Sequence, residues 1–240
     1  YLESGKNLWI GTLNTGIDVF DTESGTFKAH FDKDLGLSHN SVYAILKEND
    51  TLFWVGTFGG GLHLLNTHSK TSENILYDPA DAGSLSDNQV RLLCKDADGN
   101  LWVGTQYGLN KLPARNIADH NYTFERFFYN EQKKSGEDVL VIFEDHLRRI
   151  WVGTYESGLS RYDSQRNEFI SFPIFDSSDG NSNVIHGILE DSEHYLWVSS
   201  NQGISKVNPE NGNTLTFDES DGLVSNEFNN NACFKSQSGM

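Results

Sequence analysis

The chain has 240 residues, 37% of them hydrophobic, with 22 glycines and only 4 prolines, enough apolar material for a substantial core. Its 18 Lys and Arg against 34 Asp and Glu leave a formal charge of −16, a surface unsuited to nucleic acid or anionic lipid. No run of about 18 apolar residues occurs, so nothing in it reads as a membrane span.

In chain order, residues 1–35 carry Leu8-Trp9-Ile10-Gly11-Thr12, then Gly16-Ile17-Asp18-Val19-Phe20, then an outer strand around Thr26–Phe31. This first repeat has no aliphatic run ahead of its tryptophan. Residues 36–82 form a full repeat: a lead with His39, Asn40 and Ser41, the run Val42–Glu48, Phe53-Trp54-Val55-Gly56-Thr57, a glycine-rich turn at Phe58–Gly61, and an outer strand near Ile75–Tyr77. Residues 83–133 repeat the plan with Ser86-Asp87-Asn88, the run Val90–Asp96, Leu101-Trp102-Val103-Gly104-Thr105 and an aromatic outer section from Tyr122 to Tyr129. In residues 134–178 the lead becomes Ser135-Gly136-Glu137-Asp138 before Val139–Asp145 and Ile150-Trp151-Val152-Gly153-Thr154. In residues 179–220 it returns as Asn181-Ser182-Asn183 before Val184–Asp191 and Leu196-Trp197-Val198-Ser199-Ser200. Residues 221–240 supply one more lead, with Asn226 and Glu227, and stop before a sixth tryptophan.

The five tryptophans stand 45 to 49 residues apart, a period that points to propeller blades of about four short strands. A large aromatic on one strand face fills the wedge between neighbouring sheets, and the motif glycine leaves room where the next element approaches. Runs such as Val90–Cys94 read as apolar on both faces, as in a strand packed between blades. The expected fold is all-β, one propeller domain over residues 1–240. Two closures stay open: a five-bladed ring in which Asn231–Ser236 completes the first sheet, or part of a seven-bladed ring. The split-blade form removes exposed edges. Cys94 and Cys233 lie at non-equivalent positions and read as small buried hydrophobes rather than a disulfide. The chain begins inside a repeat, without an initiator Met or signal pattern, and reads as a piece of a longer polypeptide.

The Ser/Asn-rich lead, the aliphatic run ending in acid, Leu-Trp-Ile/Val-Gly-Thr and the following Gly-Leu-x-x-Tyr/Leu together resemble the two-component regulator propeller repeat. Residues Gly222–Asn229 look like the variant that opens a last blade in that family. The resemblance implies the periplasmic or extracytoplasmic sensor region of a bacterial hybrid histidine kinase or diguanylate cyclase, upstream of a membrane span and a cytoplasmic output domain. Several such relatives respond to oligosaccharides. It implies no enzyme activity in this stretch, no cofactor, and dimerisation through the parent receptor.

In a propeller, the lead segments and the loops after the tryptophan strands open at the same end of the sheets. That places His39, Asn40, Asn88, Glu137, Asn183, Asn226 and Glu227 with Phe58, Tyr107, Tyr155, Glu156 and Asn201. His186, on an inner strand, joins them. Aromatic rings beside amides and carboxylates suit a pyranose, whose apolar face stacks while its hydroxyls hydrogen bond. The competing reading of each Asn is a local turn made with its own backbone. No His-Glu-x-x-His or Cys-x-x-Cys spacing indicates a metal. Asp96–Asn100 reads as a hairpin turn rather than a calcium loop, because Asp-Gly suits a tight turn. Glu137, Asp138 and Glu156 leave a polysaccharide hydrolase or lyase as the alternative, and a scaffold that binds no small ligand as a third reading.

Overall fold

The structure, a computed structural model, describes residues 2–3, 6–130, 135–174, 183–230 and 232–235. Asn181 and Ser182 of the fifth lead, and Asn231 and Ser236 of the C-terminal piece, lie outside them. Two compact units divide the chain, residues 1–136 and 137–240.

The first unit holds three antiparallel sheets of four strands, each strand beside its sequence neighbour. They are β1 (Leu2–Glu3), β2 (Asn7–Gly11), β3 (Ile17–Asp21) and β4 (Thr26–Phe31); β5 (Val42–Lys47), β6 (Leu52–Thr57), β7 (Leu62–Asn66) and β8 (Thr71–Ile75); and β9 (Val90–Lys95), β10 (Leu101–Thr105), β11 (Gly108–Leu112) and β12 (Glu125–Phe127). A short helix α1 (Ala114–Ala118) precedes β12, and β13 (Tyr129–Asn130) pairs with β14 (Ser135–Gly136). The second unit holds two such sheets: β15 (Val139–Glu144), β16 (Ile150–Thr154), β17 (Leu159–Asp163) and β18 (Glu168–Ser171); β19 (Ile185–Glu190), β20 (Leu196–Ser200), β21 (Gly203–Val207) and β22 (Thr214–Phe217). The expected all-β architecture of five four-stranded blades is what the chain forms.

Tryptophans and glycines act as the spacing requires. Trp54, Trp102 and Trp151 are fully buried. Trp54 shares a core with Val90, Leu101 and Val103 of the next sheet, Trp151 with Ile185, Ile188 and Val198, and Trp9 stacks on Phe53 at 4.1 Å. A Cβ on Gly56 would stand 2.6 Å from Val90 Cγ1, and one on Gly153 2.5 Å from Ile185 Cγ2, so glycine there admits a β-branched residue of the following inner strand. Gly56→Val is expected to lower stability by about 1–3 kcal/mol through overpacking. Urea unfolding would read it, and an unchanged midpoint would refute the packing account.

The acid that ends each aliphatic run has a partner that the pattern did not disclose. Six residues ahead of its tryptophan, the carboxylate accepts the indole N–H: Glu48 from Trp54 at 2.8 Å, Asp96 from Trp102 at 2.8 Å, Asp145 from Trp151 at 2.9 Å and Asp191 from Trp197 at 2.8 Å. A buried indole N–H needs such an acceptor. The same aspartates shape the turn. Asp96 Oδ1 accepts the Asp98 and Asn100 amides while Gly99 takes φ +83°, so this is the hairpin expected from Asp-Gly.

Four expectations need correction. The first sheet has its own inner strand, since Leu2 pairs with Leu8 and Glu3 with Asn7, in the place assigned to Asn231–Ser236. Residues 232–235 form no strand; Cys233 lies against Gly187, and Lys235 Nζ donates to the Glu190 carbonyl at 2.6 Å. In β9 only Val90 is buried and the other five residues are half-buried, so the run is not enclosed on both faces. The second repeat's outer strand is Thr71–Ile75, and Tyr77 instead gives its N–H to the Asn88 side chain at 2.7 Å. Cys94 and Cys233 are free thiols as expected, but half-buried rather than buried, and desolvation pushes the Cys233 thiol up. The aromatic section packs on its blades: Phe124 is buried, Tyr122 meets Trp54 edge-on at 6.0 Å, and Phe127 lies 5.9 Å from Trp102.

Candidate ligand-binding face

A shared irregularity shapes one end of the sheets. In β5, Val42 pairs with Thr57 and Ala44 with Gly56, so Tyr43 is left out of the ladder as a bulge. The same skip leaves out Arg91 in β9, Leu140 in β15 and His186 in β19. A bulge bends the strand and turns one side chain away from the regular alternation. All four occur in the second residue of the inner strand, beside the lead.

In the first unit two of these residues meet a predicted one. Tyr43, 45% exposed, stacks on Phe58 with ring centroids 5.2 Å apart and planes 26° apart. The Arg91 guanidinium lies over the Phe58 ring, 5.9 Å from its centroid. The Phe58 backbone is pinned between the two bulges, its N–H on the Ser41 carbonyl at 2.9 Å and its chain bridged to Gln89. Burial raises the carboxyl of Asp87, two residues before Gln89, above the usual carboxylate range, against the pull of its backbone bonds and of Arg91. The result is an aromatic ledge with a cation and a carboxylate close by. Tyr43 and Arg91 escaped the sequence reading because a bulge is invisible in an aliphatic run; the signal was a polar or aromatic residue at one recurring position.

The lead residues hold chain to chain. The Asn40 carbonyl accepts the Gly16 amide at 2.9 Å, Asn88 that of Gly61 at 2.9 Å, and Asn226 that of Gly203 at 3.2 Å, each tying a lead to the preceding sheet. Their side-chain oxygens accept from Lys33, Tyr77 and Glu219. These side chains thus bond backbone 7 to 11 residues away rather than making turns with their own adjacent backbone. His39 Nδ1 accepts the Ser41 amide at 3.1 Å, and Tyr107 is exposed at the turn between β10 and β11.

In the second unit, Glu137 substitutes for a lead amide. Its carboxylate accepts from the Thr154 hydroxyl at 2.9 Å and from the Ser157 amide at 3.2 Å, and also from the Ser157 hydroxyl. A carboxylate so engaged anchors the β16–β17 turn. Tyr155, 56% exposed, and Glu156 stand on that turn, and Asn183 packs beside Gly158. The bulged His186 is buried, with Nδ1 2.5 Å from Asn230 and Nε2 2.6 Å from Asn201. Glu227 is exposed, its amide on the Ser225 hydroxyl. Thus Phe58 joins the ledge and Asn201 joins His186.

Among the described residues, no helix is long and apolar enough to cross a membrane. Histidine kinase P4 of Formosa agariphila is 37% identical over 228 residues, which are 94% of this chain and 16% of that protein. The extracellular domain of a one component system from B. thetaiotaomicron superposes with TM-score 0.75 at 21% identity, over 100% of this chain and 30% of that one. The extracellular domain of a hybrid two component system from the same organism gives TM-score 0.58 at 21% identity, over 98% and 35%. The chain thus spans about a sixth of its curated relative and about a third of these structures. The two component regulator propeller family matches at residues 36–59, 84–107 and 179–202, and in these stretches the chain is built of two component regulator propeller repeats.

Proposed function

We propose that this chain is part of the extracytoplasmic, ligand-sensing region of a histidine-kinase-type receptor, that it binds an oligosaccharide, and that its output domain lies elsewhere in the receptor. The observation that carries the binding role is the stack of exposed Tyr43 on half-buried Phe58, with Arg91 over Phe58. Stacked rings cover the apolar face of a sugar, and neighbouring charged groups bond its hydroxyls. The extracytoplasmic placement draws support from the extracellular domains that share the fold and from the kinase name of the curated relative. Ligand binding signals only if two arrangements of the receptor bind the sugar with different affinity.

Calorimetric titration of the 240-residue chain with a panel of neutral and acidic oligosaccharides tests this reading. The expected result is binding of an intact sugar, weakened in Tyr43→Ala and Phe58→Ala by about 1.5–3 kcal/mol, roughly 10- to 150-fold. Unchanged affinity in both variants would remove the ledge from the site. Cleavage of the sugar would favour a hydrolase or lyase, a reading that the three hydrogen bonds on Glu137 do not support.

A further inference from the structure

At the other end of the second unit's sheets, away from Tyr155, three side chains bring their ligand atoms within 4.8 Å of one another: His146, Glu190 and His194. His146 lies in the turn from β15 to β16, Glu190 ends β19, and His194 lies in the turn from β19 to β20. His146 Nδ1 bonds Glu190 Oε1, and the His146 amide donates to Oε2 at 3.0 Å. His194 Nδ1 stands 3.3 Å from the same Oε1. The two imidazoles stack, centroids 3.6 Å apart and planes 22° apart. The Glu190 side chain is 10% exposed, whereas those of His146 and His194 are 32% and 54% exposed.

The repeat itself does not call for this trio. Where the fifth repeat has Glu190 the third has Lys95, which pairs with Glu48 of the preceding sheet at 2.7 Å. His146 stands where the third repeat has Ala97, and His194 where it has Gly99. His194 takes φ +67° in that turn, a left-handed conformation that glycine adopts without steric cost. The fourth repeat also has a glutamate, Glu144, at the Glu190 position, so the departures are the two histidines, which come from the turns of two different sheets and converge on one carboxylate. An ion pair needs a single imidazole, and two charged imidazoles stacked face to face repel. The other acids nearby have their own cations, Asp145 with Arg149 and Asp191 with Lys206, which leaves Glu190 facing histidine.

We propose that His146, Glu190 and His194 form a binding site for a divalent transition metal ion of the zinc, nickel and copper group, clamping the turns of adjacent sheets. Two imidazoles and a carboxylate are the donor set those ions favour over calcium or magnesium. Bond lengths of about 2.0–2.2 Å set tetrahedral ligand atoms roughly 3.2–3.5 Å apart, close to the His194–Glu190 separation. The His146 amide on Oε2 fixes the carboxylate so that Oε1 faces both rings, as an outer partner of a metal ligand does. Three protein ligands leave a fourth position for water.

The test is calorimetric titration of the tag-free 240-residue chain with Zn²⁺, together with Co²⁺ absorption spectra. The expected result is one tight equivalent of Zn²⁺ and the intense visible bands of four-coordinate Co²⁺. His194→Ala and His146→Ala should each weaken Zn²⁺ by on the order of 100-fold and abolish those bands. Because His194 is exposed, its replacement leaves the fold intact, which circular dichroism would verify. Absence of a tight equivalent in the unaltered chain, or its persistence in both histidine variants, would overturn the proposal.

Discussion

Asp145→Ala is expected to lower stability by about 3–5 kcal/mol. The Asp145 carboxylate has no exposed surface and accepts from Trp151 Nε1 at 2.9 Å, from the amides of Leu147 and Arg149, and from Arg149 Nε at 2.5 Å. Hydrogen bonds from Trp151 and Arg149, opposed by desolvation, hold its carboxyl below the ordinary range. Removing it leaves the Arg149 guanidinium with Glu210 as its acid partner and strands an indole N–H and two turn amides at once, and unmet donors cost more than the bonds contribute net. Asp96→Ala, at the equivalent turn without an arginine, should cost less, about 1–3 kcal/mol. Urea unfolding followed by tryptophan fluorescence would compare them. Equal losses in the two variants would show that Arg149 adds nothing.

The second large effect depends on pH. His63 is fully buried in β7, with Nε2 3.0 Å from the Ser38 hydroxyl and Nδ1 3.2 Å from that of Ser72. Burial lowers its pKa to about 4, opposed by the Gly60 backbone and aided by His39. The folded chain therefore keeps this ring neutral while the unfolded chain protonates it near pH 6.5. Between those values the unfolded state binds more protons, so stability falls as pH falls from about 6.5 to about 4 and levels off below, where both states are protonated. The gap corresponds to roughly 3 kcal/mol. His63→Gln retains a polar side chain and removes the titration. Subtracting its stability profile from that of the unaltered chain should leave a slope confined to this window. Parallel profiles would mean that His63 is charged in the folded state.

How much of this was legible depends on whether a residue acts within its repeat or across two. The tryptophan spacing disclosed five blades because one packed ring per sheet, buried in the first four and half-buried in the fifth, is a local requirement, repeated. The short inner strand at Leu2–Glu3 stayed hidden, since two residues carry no periodicity. The acids six residues ahead of each tryptophan were visible as a pattern, but their purpose lay in an indole N–H whose direction only the fold reveals. At the candidate site, the half-buried Phe58 and the exposed Tyr107 and Tyr155 stand after their tryptophan strands, whereas Asn40 and Asn88 tie their leads to the preceding sheet and Asn226 bonds back to the fifth. Tyr43 and Arg91 went unnoticed because their role comes from a skipped ladder position. The histidines at 146 and 194 lie 48 residues apart in different repeats, far outside any local metal spacing.

The skipped position has a consequence for how such a repeat diversifies. A side chain in the ladder is bound to its cross-strand partner, so changing it disturbs register and core together. The bulged residue is released from the ladder, though Leu140 and His186 are still buried, and here four copies of one backbone device hold tyrosine, arginine, leucine and histidine. Chemistry at this end can thus be rewritten one letter per blade while the tryptophan and the acid stay constant. A chain of this kind can change what it recognises without relearning how to fold.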